Sequence, residues 1–234
     1  MNRISERMWS VVLFSVLLIL LAACSPAVES PAGAAEGAAA GEAEAGAKVL
    51  TYLLAQEPNS MDPAIVTESQ SGLPIRNVYD RLIELAPDGE SIEPGLAESW
   101  TISDDGLVYT FNLRPGVTFH SGAPLTAEAV RYTLERALTL GKGESFALAS
   151  YIDPANVKVI DDATVEITLN EPYEPILSIL ALHNVGSILN PEVVQANATD
   201  DDPWADQFLT NHMDGTGPFK FVEWQPKQYV ALAR

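Results

Sequence analysis

Ala97-Glu98-Ser99-Trp100-Thr101-Ile102, Ser103-Asp104-Asp105-Gly106 and Leu107-Val108-Tyr109-Thr110-Phe111-Asn112-Leu113 form the clearest local pattern in this 234-residue chain. Leu107, Tyr109, Phe111 and Leu113 alternate with Val108, Thr110 and Asn112. Strand-like runs on both sides of an Asp-Gly turn predict an antiparallel hairpin. Arg114-Pro115-Gly116 ends the second strand, and Val117-Thr118-Phe119-His120 continues as a short extended piece.

Downstream, Thr126 is placed to cap a helix, with Glu128 in its first turn where a carboxylate complements the helix dipole. Val130, Leu134 and Leu138 repeat every four residues on one face, and Gly141 and Gly143 stop the helix. Val157–Ile160, Asp161-Asp162 and Val165/Ile167/Leu169 predict a second hairpin. Short helices are expected from Pro175 to Leu182 and from Pro191 to Ala196. Gly215-Thr216-Gly217-Pro218 reads as a turn, and 219–224 and 228–234 as strands. Upstream, Val49–Leu54 reads as a buried strand and Asp62-Pro63 as a loop. Leu73–Leu85 reads as a helix with Pro74 in its first turn, where a missing N–H matters least. Short strands and helices without a strand–helix–strand rhythm predict a mixed α+β fold. The last strand runs to Arg234 without a cap, so the chain is expected to be a fragment.

The N-terminus carries Arg3 and Arg7, then an apolar run from Val11 to Ala23 broken only by Ser15, then Cys24, the only cysteine. This predicts a secretory signal over residues 1–23. The run is shorter than the roughly 20 apolar residues an uncleaved anchor needs. With no second cysteine, the exported protein holds together without disulfides. Residues 24–47 are rich in Ala, Gly and Glu, and Val28 is their only bulky apolar residue. Such a segment buries too little surface to offset its ordering entropy, and a flexible tether is expected.

The chain has a formal net charge of −19, and losing the signal, which carries +1, brings it to −20. That excess is unsuited to nucleic acid or to a polybasic membrane patch. No enzymatic motif occurs: there is no Gly-x-Ser-x-Gly, phosphate loop or His-Glu-x-x-His. His120, His183 and His212 are isolated, and closely spaced metal ligands are absent. Neither a cofactor nor a metal site is predicted. Asp104-Asp105, Asp161-Asp162 and Asp200-Asp201-Asp202 fall in predicted turns, where Asp favours backbone hydrogen bonds over calcium binding. Trp100, Trp204 and Trp224 are read first as core residues.

Pro94-Gly95-Leu96-Ala97-Glu98-Ser99-Trp100, Ser103–Gly106 and Tyr109–Gly122, continued by Pro124–Val130, resemble the signature of family 5 extracellular solute-binding proteins. These are the peptide, dipeptide and nickel receptors of ABC importers. Met61-Asp62-Pro63, Tyr79-Asp80-Arg81-Leu82 and Gly215–Phe219 are similar to further family motifs in the same order. Leu21-Ala22-Ala23-Cys24 resembles a bacterial lipobox, in which the thiol is acylated. Attachment to the membrane would then come from lipid on Cys24, each buried methylene contributing about 0.8 kcal/mol.

The resemblance implies a two-lobed periplasmic-binding-protein-like fold, of which residues 48–234 are the N-terminal part. Residues 48–79 and about 210–234 are expected in lobe I and about 80–209 in its extra domain, with the second lobe absent. It implies a binding protein and not an enzyme: an extracytoplasmic, lipid-anchored monomer that takes peptides and docks on an ABC permease and its ATPase. A nickel, opine or oligosaccharide receptor, or a sensory lipoprotein, is the alternative. Thr67, Glu68 and Ser69, in the loop after Asp62-Pro63, are the expected ligand contacts, with Phe146 and Tyr151 second. For all five, an ordinary solvated loop or packing role is the competing reading.

Overall fold

The computed structural model describes residues 48–234. The signal, the tether and Cys24 lie outside the described residues. Two antiparallel hairpins, β3 (Ala97–Ile102) with β4 (Val108–Leu113) and β5 (Ile152–Asp161) with β6 (Thr164–Leu169), join in one sheet of order β3-β4-β6-β5. Tyr109 pairs with Ile102 on one side and Ile167 on the other. The period-two pattern therefore sends Tyr109, Phe111 and Leu113 to the same buried face as Val165, Ile167 and Leu169. Turn chemistry closes both hairpins. Asp105 Oδ1 accepts from the Leu107 N–H at 3.1 Å, Gly106 takes a positive φ of 70°, and Asp161 Oδ1 accepts from the Ala163 N–H at 2.9 Å.

Ahead of this sheet stand helix α1 (Ser69–Val78) and a small pair of strands, β1 (Ile83–Leu85) and β2 (Ile92–Pro94). Helix α2 (Ala127–Leu140) ends at Gly141, whose φ of 58° is the left-handed conformation a helix C-terminus favours. Thr126 sits at its N-cap in extended backbone, but its side chain makes no capping bond. Short helices α3 (Phe146–Ala149), α4 (Ile176–Leu180), α5 (Pro191–Ala196) and α6 (Asp206–Leu209) follow. A final hairpin pairs β7 (Lys220–Gln225) with β8 (Tyr229–Ala233).

Helix α2 is buried on two sides, because residues two apart on a helix point nearly opposite ways. Val130 and Leu134 enter a first core with Phe111, Ile152 and Ile167. Tyr132 enters a second core with Met61, Ile75, Val78, Tyr79, Val194 and Leu209. Arg136, one turn beyond Tyr132, is fully buried on that second side.

Two expectations are corrected. Val49–Leu54 is not a buried strand: it lies outside any strand, with Leu50 and Leu53 each 92% exposed. An apolar run becomes a strand only where a neighbour takes its N–H and C=O groups, and among the described residues none pairs with it. The helix expected over Leu73–Leu85 spans Ser69–Val78 instead, which puts Pro74 in its interior. The helix starts early because Ser71 and Gly72 continue its buried face. It stops early because the Gly215–Phe219 turn takes its last carbonyls.

Candidate functional site

The loop before α1 is built on Asp62. Its carboxylate accepts from Arg136 Nη1 at 2.9 Å and Nη2 at 2.6 Å, and Oδ1 also accepts from the Ala64 N–H at 3.0 Å. Arg136 Nε donates to the Trp204 carbonyl at 2.9 Å, and Ser60 Oγ accepts from the Asp62 N–H at 3.1 Å. Every polar atom of a fully buried charge pair needs such partners. Here they fix residues 60–64 rigidly against α2. The next residues are then presented from a firm base: Thr67 and Ser69 are exposed, and Glu68 is half-buried between them.

Glu68 is occupied locally through one oxygen, while its Oε2 is buried without a partner among the described residues. Its Oε1 accepts from the Ser71 hydroxyl and, at 3.4 Å, from the Asn59 N–H. Burial pushes its pKa up, but the Ser71 hydroxyl and the surrounding backbone N–H groups outweigh that and hold it below the usual carboxylate range. Gly143 packs against the same loop. A Cβ there would stand 2.7 Å from the Ala64 carbonyl oxygen. The turn leading to Phe146, itself 67% exposed, is thereby brought beside the approach to Thr67. Tyr151 is placed differently: it stacks on Tyr173 with centroids 3.8 Å apart and packs on the first core.

The other end of α1 is stapled by distant segments. Gly217 N–H donates to the Val78 carbonyl at 2.9 Å and Phe219 N–H to the Asn77 carbonyl at 3.1 Å. Thr216 Oγ1 donates to Asp80 at 2.9 Å, and His120 Nε2 lies 2.8 Å from the Gly217 carbonyl. Ser121, Asn190 and Asp214 close a further network, with Asp214 Oδ2 accepting from both the Ser121 hydroxyl and Asn190 Nδ2 at 2.7 Å. Segments 79–82, 119–122 and 215–218 thus meet at one seam.

Of the remaining histidines, His212 stacks on Phe208 with centroids 4.2 Å apart, and His183 faces Gly72 of α1. Among the described residues, no three metal-ligating side chains converge. An open pocket of about 420 Å³, lined in part by Phe208, His212, Phe221 and Trp224, lies beside β7 and includes none of the five expected ligand contacts. The environment of His183 was not legible in the sequence, since its neighbours Gly72 and Arg76 lie more than 100 positions earlier.

Residues 91–234 match the family model described as bacterial extracellular solute-binding proteins, family 5 Middle. The chain belongs to this family. Its members are binding proteins for transport and not enzymes. A similar solute-binding protein is the probable D,D-dipeptide-binding periplasmic protein of Escherichia coli, 36% identical over 76% of this chain and 34% of its own length. Heme-binding protein A of Haemophilus influenzae is 33% identical over 91% of this chain and 41% of its own length. The solved structure of the Helicobacter pylori periplasmic binding protein DppA with the peptide STSA superposes with a TM-score of 0.64. It is 34% identical over 74% of this chain and 36% of that one. The chain thus spans 34% and 41% of the length of these two curated relatives. Those matches bear out the mixed α+β fold of a periplasmic binding-protein lobe.

Proposed function

We propose that this chain is the N-terminal part of an extracytoplasmic receptor that captures peptides and delivers them to an ABC permease. The observation that carries the reading is the family match over residues 91–234, together with likeness to a structure solved with a peptide. In this reading Thr67 and Ser69 contact the solute, partly through backbone groups, while Glu68 holds their loop. Phe146 and Tyr151 stand further out. A second lobe closes over the solute by hinge motion. The two cores support a division of labour. The second, around Met61, Ile75 and Tyr79, belongs to lobe I, and the first, around Phe111 and Ile167, is its extra domain. The second core also takes in Leu189, Val194 and Leu209, which supports a return to lobe I nearer residue 189 than 210 in this reading.

The anchor is proposed from the sequence. Lipid on Cys24 holds the receptor at the membrane, and residues 24–47 are its tether. The test is a thermal-shift panel on the full-length protein with peptides, glutathione, heme, nickel chelates and opines. A ligand that binds only the folded state raises the melting temperature. Peptides are expected to do so. A rise with another class and none with peptides contradicts the peptide reading.

A further inference from the structure

Ser69, Gly72 and Arg76 are three and four positions apart and share one face of α1. The missing side chain of Gly72 leaves room for two others. A Cβ at Gly72 would stand 2.7 Å from His183 Nε2 and 3.1 Å from Arg76 Nη2, so both nitrogen groups approach one spot. Arg76 is exposed, and among the described residues it makes no ion pair or side-chain hydrogen bond. Arg81 stands behind them. Its guanidinium pairs with Glu84, and its Nε is buried without a partner among the described residues.

The grouping runs against the balance of the chain as a whole, which carries 32 acidic residues against 13 Lys and Arg. Arg81 is offset by two carboxylates, Glu84, its ion-pair partner, and Asp80, whose charge acts on it while its oxygen accepts from Thr216, so Arg76 is the uncompensated cation of the group. Burial, followed by the charges of Arg76 and Arg81, pushes the His183 pKa down to about 4. One free guanidinium and one neutral imidazole, both able to donate N–H groups, therefore meet on the face that continues from Ser69.

We propose that Arg76 and His183, backed by Arg81, form a subsite for an oxyanion, the carboxylate or phosphate group of a captured solute. The guanidinium of Arg76 donates to one anion oxygen and a His183 ring N–H to another, a charge-assisted arrangement stronger than a neutral pair. The inference rests on the reading that the solute contacts Thr67 and Ser69, from which this face of α1 runs on to Arg76 in its last turn. It narrows that reading to solutes carrying an acidic group at this position.

The test follows the His183 ring resonance in full-length protein with labelled histidine, titrated with sodium acetate, inorganic phosphate or neutral acetamide. His183→Gln identifies the resonance. An opposite charge favours the protonated ring, so a saturable shift is expected, with the His183 pKa rising by about one unit. Arg76→Gln, shown to fold by an unchanged melting temperature, is expected to abolish it. A response to acetate alone marks a carboxylate subsite, and one to phosphate alone a phosphate subsite. No saturable shift with either anion, or an equal shift in Arg76→Gln, overturns the proposal and leaves Arg76 a helix-end charge only. The readout needs no peptide binding. A shift without any peptide-induced stabilisation keeps the subsite and removes the peptide reading.

Discussion

The Asp62 carboxylate and the Arg136 guanidinium form a two-pronged ion pair, with both side chains at 0% exposure. The pair joins the loop that presents Thr67 to the helix shared by both cores. Removing one partner leaves an uncompensated buried charge, which costs about 3–5 kcal/mol. Asp62→Ala and Arg136→Met are each expected to lower the urea-unfolding free energy by that order. Their effects are expected to be strongly non-additive in the double variant, since both break one interaction. Additive losses would show that the two residues act independently.

Gly215 is required by close approach. A Cβ there would sit 2.0 Å from the Val78 carbonyl oxygen, a backbone atom that cannot step aside. Gly116 is a contrasting control: its φ is 74°, but nothing lies within 4 Å of its Cβ position. Gly116→Ala is expected to cost about 1 kcal/mol, the backbone strain alone. Gly215→Ala is expected to cost several times that, about 3 kcal/mol or more, as overpacking does. Equal losses in denaturant unfolding would mean that the seam between α1 and the 215–218 turn is loose.

Much of the architecture was readable because it is local. The hairpin at Asp105-Gly106, the second at Asp161, the stop of α2 at Gly141 and the α5 start at Pro191 each depend on residues within a few positions. Contacts between distant segments were not readable. Nothing near Val49–Leu54 in sequence reveals that no described strand pairs with it. The early end of α1 at Val78 depends on a turn more than 130 positions later. The same limit applies to the site. The loop after Asp62-Pro63 was found by resemblance, whereas the local duty of Glu68 and the juxtaposition of His183 with Gly72 required the fold.

His183 also gives a pH signature. Its pKa falls from an ordinary 6.5 to about 4 on folding, so between those values the unfolded chain binds more protons. Stability is therefore full above pH 6.5 and declines as pH falls towards 4. The full shift overstates the effect, because the ring is only half-buried and solvent screens it. Relative to His183→Gln, the wild type is expected to lose about 1–2 kcal/mol between pH 7 and 4.5 in denaturant unfolding. Parallel pH profiles for the two proteins would contradict this.

Gly72→Ala separates packing from electrostatics. Alanine favours a helix interior over glycine by about 1 kcal/mol, and the atom it meets first is the movable end of His183. Stability is expected to stay within about 1 kcal/mol of wild type by that same propensity term. The ring, displaced from Arg76, is expected to titrate closer to 6.5, as followed by its resonance. An unchanged His183 titration would show that Gly72 does not set the ring's position.

The central claim is that a solute is captured against the loop that Asp62 anchors, and amide hydrogen exchange tests it most directly. The full-length protein is compared with and without a saturating peptide pool. Exchange at the Thr67, Glu68, Ser69 and Gln70 amides is expected to slow on binding, while the signature hairpin at Ser103–Leu107 stays unchanged. Peptide binding that leaves the 67–70 amides at their unliganded rates would contradict the account.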